Sequence, residues 1–226
     1  MSVIVVAAHP DDDVLGCGGA IARHARYCER VEIVYLADGV TARETHGGAR
    51  DDAALSRRRS AAVRAAGVLG ATDVVFGDLP DNRMDTVALL DIVRIVEDHI
   101  ERVRPTVVYT HSPIDLNIDH RLAHEAVMTA CRPQSDHVVR TILSFEVPSS
   151  SHWRSPSSAV AFAPNWYVDI SEVLDLKIAA LSAYEEELRP WPHPRSVEAV
   201  AHLAAWHGAG IGVSAAEAFC VERHIR

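Results

Sequence analysis

Two short stretches carry the residue types that can do chemistry. In AHPDDDVLGCGG, residues 8–19, a histidine and three aspartates follow directly on a valine-rich run. In THSPIDLNIDHRLAHE, residues 110–125, His111, Asn117, Asp119, His120 and His124 are packed into one segment. Taken as a set, His9, Asp12 and His120 offer two imidazoles and one carboxylate. Such donors suit Zn2+ or another borderline divalent metal and leave coordination positions open for water and substrate. A cation also makes consecutive aspartates tolerable at the end of an apolar strand. Asp11, beside a ligand but not needed as one, is placed to act as general base on water held there. Asp119, next to His120, is placed to fix that imidazole's tautomer.

Each stretch alone has a plainer reading: HPDDD as a turn with a helix N-cap, DHRLAH as a solvated helix start. What favours chemistry is where the elements put them. Val3 to Ala8 and Val31 to Ala37 are short valine-rich runs that predict strands buried on both faces. Thr72 to Phe76 and Thr106 to Thr110 predict a third and a fourth strand. Helices are predicted over Gly18 to Tyr27, Asp51 to Leu69, Thr86 to Val103 and Asp119 to Cys131, with Gly70 stopping the second. This alternation predicts an α/β, Rossmann-like open and mostly parallel sheet flanked by helices. HVVRTILSFEV and SAVAFAPNWYVDI predict two later strands at the sheet edge or in a hairpin, and helices follow over Ser171 to Leu188 and Val197 to Trp206. No linker or repeat divides residues 1–226, so one domain is expected. In such a sheet the first and fourth strands lie side by side at the switch point, and ligands bind outside their carboxyl ends. The two polar stretches therefore face each other.

Composition narrows the partners. The 226 residues carry a net charge of −9, which gives no basic footprint for nucleic acid. No apolar run is long enough for a membrane span, and no signal peptide is evident. Cys17, Cys28, Cys131 and Cys220 stand at no metal or redox spacing and read as free thiols, which points to a cytoplasmic protein. A homo-oligomer is left open. The glycines of GCGG read as allowing close helix–strand packing, because the neighbouring aspartates would repel a phosphate. Arg57, Arg58 and Arg59 read as a helix face, one of them available to a phosphate or a sugar hydroxyl. The four tryptophans read mainly as core or interface, with an aromatic near the mouth able to stack on a sugar ring.

The first stretch closely resembles the AHPDDE-type signature of the PIG-L (LmbE-like) N-acetyl-sugar deacetylases, and DLNIDHRLAH resembles their downstream motif. The resemblance extends from the first strand to HPRS near residue 194. It implies that His9, Asp12 and His120 are metal ligands and that Asp11 is the general base. It also implies removal of an acetyl group from a small N-acetylated amino sugar. Three positions depart from the pattern. Asp13 replaces a glutamate, Ala61 stands where glutamate is common, and Asn117 occupies a position where some members carry an acid or oxyanion-stabilising histidine. Arg58 matches a family arginine linked with substrate binding, and Asn117 and His124 are assigned to the pocket wall with it. The missing helper is sought in His193 of WPHPRS, then His111, then His124. Two readings from other classes stand beside this one. A non-haem Fe(II) oxygenase could use the same His/Asp/His set, although those sites usually show H-x-D on an all-β scaffold. A non-catalytic nucleotide-sugar-binding domain would hold no tight metal.

Overall fold

The computed structural model describes residues 1–40, 51–134, 138–155 and 161–226. Five strands run parallel: β1 (Ser2–Ala7), β2 (Arg30–Ala37), β3 (Asp73–Leu79), β4 (Val107–His111) and β5 (Thr141–Phe145). Two more, β6 (Trp166–Asp169) and β7 (Ala216–His224), complete one seven-stranded sheet of order β3-β2-β1-β4-β5-β7-β6. Along β1 the side chains alternate between two cores. Val3, Val5 and Ala7 pack with α1 (Asp12–Arg26), α2 (Asp52–Leu69), α5 (Leu174–Ser182) and α6 (Val197–Ile211). Ile4, Val6 and Ala8 pack with α3 (Leu89–Val103) and α4 (Ile118–Ala130) on the other face. A strand buried on both faces needs the unbroken apolar run that β1 has. Helix α3 shows the complementary pattern: Ile92, Val93, Val96, Ile100 and Val103 form the single buried stripe.

The C-terminal third differs from the sequence reading. The two later strands make no hairpin with each other: β7 lies between them, antiparallel to both. Their expected N-terminal parts, at 137 and 158–160, lie outside the described residues. Strand β7 was not expected, because Glu217, Glu222 and Arg223 interrupt its apolar pattern. Glu217 is nonetheless 4% exposed. Helix α1 begins at Asp12 rather than Gly18 and is broken at Cys17 (φ −145°, ψ 22°). Glu217 caps the break, accepting the backbone N–H of Gly19 at 2.8 Å and of Ala20 at 2.7 Å. Lys177 of α5 bonds Glu217 at 2.6 Å and donates to the carbonyl of Leu15 at 3.0 Å. A kink leaves backbone groups without helical partners, and this buried ion pair satisfies them. Helix α5 ends at Ser182, short of the expected Leu188. The chain then turns so that the Tyr184 hydroxyl lies 3.3 Å from that of Tyr35, and Glu187 reaches Arg58.

Two glycines of GCGG have a packing reason. A Cβ on Gly16 would lie 2.1 Å from the Phe145 ring, and one on Gly19 would lie 2.6 Å from Ile170. Helix α1 therefore sits closer to the sheet than any side chain allows, which carries its N-terminus over the end of β1.

Breaking the Lys177–Glu217 pair from one side should be costly. Lys177→Met leaves a buried carboxylate without its cation and is expected to lose about 3–5 kcal/mol of stability in urea denaturation. A loss below about 1 kcal/mol would show that the helix break is held by the two backbone N–H bonds alone.

Candidate active site

Strands β1 and β4 are direct parallel neighbours, with Val3 opposite Val107 and Val5 opposite Tyr109. The loops leaving their carboxyl ends are thereby forced together. His9 leaves β1, Asp12 opens α1, and His120 sits in the first turn of α4. One ligand atom from each lies within 4.8 Å of the others, and all three residues are buried.

The tautomers are set from outside this triangle. Nε2 of His9 lies 3.0 Å from Asp119 and 3.1 Å from Asp81, so the proton belongs on Nε2 and the Nδ1 lone pair faces Asp12 Oδ2 at 3.3 Å. Nδ1 of His120 lies 3.2 Å from Asp115, which turns the Nε2 lone pair toward the same Asp12 oxygen at 3.2 Å. Two lone pairs and a carboxylate oxygen aimed at one point repel unless positive charge lies among them. The other Asp12 oxygen, Oδ1, is buried without a hydrogen-bond partner. The donor set therefore fits a divalent cation, and each imidazole carries the carboxylate partner that metal-binding histidines usually have.

The electrostatics say the same. Burial pushes His120 down, yet Asp12 and Asp115 more than offset it and raise the group to about 9. Burial likewise opposes the charge on His9, but Asp119, Asp12 and Asp81 hold it well above the usual histidine value. Asp12, despite burial, is held well below the usual carboxylate range by His120 and His9. This pocket demands positive charge.

Asp11 stands beside the triangle in a backbone conformation (φ 110°) that side-chain-bearing residues rarely adopt. Arg58 holds the turn, donating from one nitrogen to the Pro10 carbonyl (3.1 Å) and Asp11 (3.3 Å), and from the other to the Gly39 carbonyl (3.1 Å). Arg195 reaches the same Asp11 oxygen at 3.1 Å from the C-terminal segment. Burial raises the Asp11 carboxyl, and Arg195 and Arg58 pull it only part of the way back.

The structure places the remaining predicted residues as follows. Asp119 lies on His9 instead of His120 and is fixed there by the N–H groups of Asn82 (2.6 Å) and Met84 (3.0 Å). Arg58 spends its donors on the Asp11 turn and on Glu187 (2.6 Å). Asn117 is the N-cap of α4, its side chain accepting from the Asp119 N–H at 2.8 Å. His124 donates from Nδ1 to the His111 carbonyl at 2.8 Å. His111 is wholly buried and stacks on His120 with centroids 4.0 Å apart. Its Nε2 accepts the Ala8 N–H at 2.8 Å, and burial followed by His120 keeps it well below the usual histidine value. His193 accepts the Arg195 N–H on Nδ1 at 3.0 Å, which leaves the proton of the neutral ring on Nε2.

Four residues of this site escape the sequence reading: Asp81, Asp115, Glu187 and Arg195. Asp115 was within reach, lying inside the quoted second stretch, but its serine partners are 35 residues away or more. Ser150 and Ser151 (2.6 Å) both donate to its carboxylate, and with His120 they hold it at about 2 against the effect of burial. Asp81, Glu187 and Arg195 enter from distant loops with no local signal.

Comparison with known proteins adds the following. The family model described as PIG-L, GlcNAc-PI de-N-acetylase, matches residues 4–131, more than half of the chain. A protein of Escherichia coli named uncharacterized deacetylase YaiS is 29% identical over 189 residues, 81% of this chain and 90% of that one. The 4-oxalmesaconate hydratase of Pseudomonas putida is 31% identical over 226 residues, 93% of this chain and 83% of that one. Among solved structures, the N,N'-diacetylchitobiose deacetylase of Pyrococcus horikoshii shares the fold with a TM-score of 0.77 at 18% identity, covering 98% of this chain and 84% of that one.

Asp115 offers a test of the orienting shell. Asp115→Ala frees the His120 ring to turn and is expected to weaken divalent-cation affinity about 10–100-fold, measured by competition with a chelator. Unchanged affinity would show that the ring is held by packing alone.

Proposed function

This chain belongs to the PIG-L family, and from that premise we propose that it is a zinc-dependent hydrolase that removes the N-acetyl group from a small amino sugar. An N-acetylglucosamine conjugate or a nucleotide sugar, met in glycoconjugate or natural-product biosynthesis, is the substrate class. The observation that carries the reading is the buried convergence of His9, Asp12 and His120 within 4.8 Å, with Asp11 alongside. Two imidazoles and a carboxylate match catalytic Zn2+ sites, which keep a position open. When bound, the cation would polarise the acyl carbonyl and lower the pKa of water.

The chain's own groups divide the remaining work. Asp11 takes the proton of the attacking water and returns it to the leaving amine. Its burial raises its basicity, while Arg58 and Arg195 hold the carboxylate in one orientation. The developing oxyanion needs a donor, and three histidines were candidates. The lone pair on His111 Nε2 is engaged by Ala8, and its Nδ1 is buried without a partner. The Nδ1 proton of His124 is engaged by a carbonyl. His193 keeps an Nε2 proton to give, and it sits two residues from the arginine that touches Asp11. His193 is the donor in this reading, with residues 1–226 acting as one catalytic unit. The elements crossing to Asp11 from both ends of the chain support that unit. Among the described residues no helix is long and apolar enough to cross a membrane.

The kinship with a hydratase gives a second reading, since a buried base beside a cation could equally well add water across a double bond. Two assays on one zinc-loaded preparation separate them. Acetate released from N-acetylhexosamine conjugates supports deacetylation; loss of ultraviolet absorbance from an unsaturated dicarboxylate without acetate release overturns it. Asp11→Asn is expected to keep the metal and lower kcat about 10²–10⁴-fold. His193→Ala is expected to lower kcat about 10²–10³-fold, also with metal retained. Near-native turnover in either variant removes that residue from its role.

A further inference from the structure

Two arginines at the edge of the site lack the carboxylates that hold their neighbours. Arg58 and Arg195 are paired with Asp11 and Glu187, Arg57 with Glu186, and Arg59 with Asp78. Arg121, in the first turns of α4, donates to the backbone carbonyls of Asp115 and Leu116, both at 2.7 Å. Arg154 donates to the same Asp115 carbonyl at 2.6 Å. Two guanidinium groups thus meet on one oxygen, and among the described residues neither arginine forms an ion pair with a carboxylate. Arg154 Nε is buried without any hydrogen-bond partner.

Like charges do not gather around a neutral carbonyl without a reason, and a buried guanidinium N–H left unmade is costly. An anion between the two groups removes both difficulties, because planar guanidinium forks match carboxylate and phosphate oxygens in pairs. The place suits a substrate. Asp115 offers its carbonyl to the arginines and its carboxylate to His120, so the pair lies one residue away from a candidate ligand. Trp153, 58% exposed, precedes Arg154 and stands edge-on to His193 at 5.5 Å. The N-terminus of α4, capped by Asn117, adds its positive dipole on the same side.

We propose that Arg121 and Arg154 form a subsite for an anionic group of the substrate, a carboxylate or a phosphate, next to the metal site. Resting on the deacetylase reading, this narrows the substrate to an N-acetyl amino sugar that carries negative charge beyond the sugar ring.

The test is a comparison of affinities in the zinc-loaded Asp11→Asn background, where turnover does not interfere. Calorimetry is run with methyl N-acetylglucosaminide, carboxymethyl N-acetylglucosaminide and N-acetylglucosamine 1-phosphate. One or both anionic ligands are expected to bind about tenfold or more tightly than the neutral one, with an advantage that salt erodes. Whichever of the two gains more identifies carboxylate or phosphate as the recognised group. Adding Arg154→Gln or Arg121→Gln should bring the ratio close to one, and Arg154→Lys should restore part of it. Because both arginines also brace Asp115, the ratio is the readout: a merely structural defect weakens neutral and anionic ligands alike, and a ratio unmoved by either substitution overturns the subsite. Equal binding of all three ligands overturns it as well. A clear anionic preference in a protein that releases acetate from no sugar would leave the subsite standing and remove the deacetylase reading.

Discussion

Burying several carboxylates where two apolar strands end is the constraint from which the rest of this structure follows. Asp11, Asp12, Asp115 and Asp119 are all buried around the ends of β1 and β4, and Asp81 joins them from the loop after β3. Each would cost several kcal/mol if left without compensation. The chain supplies only part of that compensation. Asp119 takes two backbone N–H groups, Asp115 takes two serine hydroxyls, and Asp11 takes two arginines. Asp12 receives one backbone N–H from His9 and otherwise faces three imidazoles, those of His9, His120 and, at 3.5 Å, His111. What is unmet in the cluster is positive charge at one point, which is why His9 and His120 are pulled toward the charged state despite burial.

The same constraint explains why a distant part of the chain belongs to the site. A parallel sheet brings the loops after β1 and β4 together by itself, but cannot neutralise Asp11. That task falls to Arg58 from α2 and Arg195 from the segment before α6, with Glu187 balancing both. The C-terminal elements are in turn anchored to the first motif by Glu217 and Lys177, which occupy the break in α1. The break lets α1 begin at Asp12 and still pack its glycines on Phe145 and Ile170. One buried ion pair therefore couples the far end of the chain to the geometry of the near one.

How much of this was legible in the sequence follows from how local each signal is. The parallel half was readable because doubly buried strands are unbroken apolar runs, and because the switch point follows from strand order. His9, Asp12 and His120 could be grouped for that reason alone. Strand β7 was hidden because its defining residue, Glu217, reads as a surface charge until Lys177 and the kink are seen. Asp119 was attached to His120 by adjacency, whereas successive residues of a helix point about 100° apart, and its side chain reaches His9 instead. Arg58 had the right type and the right neighbourhood, but only the positive φ of Asp11 reveals what it holds in place.

That division between local and assembled signals bears on how function is distributed. The residues legible from the sequence are those proposed to gather a cation and move a proton, and such chemistry would serve hydrolysis of an amide and hydration of a double bond equally well. What separates such reactions is which molecule is held over the metal and whether its leaving group can be protonated. In the proposed reading those choices fall to residues 149–154 and 191–195, which touch through Ser149 and Arg195 and through Trp153 and His193. Neither segment lies in the parallel core, and neither is constrained by the strand order that assembles His9, Asp12 and His120. A rim free to vary over a fixed acidic centre would allow one fold to keep that centre while its substrate changes. On the proposed reading, the two guanidinium groups on the Asp115 carbonyl are the feature that would set this chain's rim apart from a neutral sugar pocket.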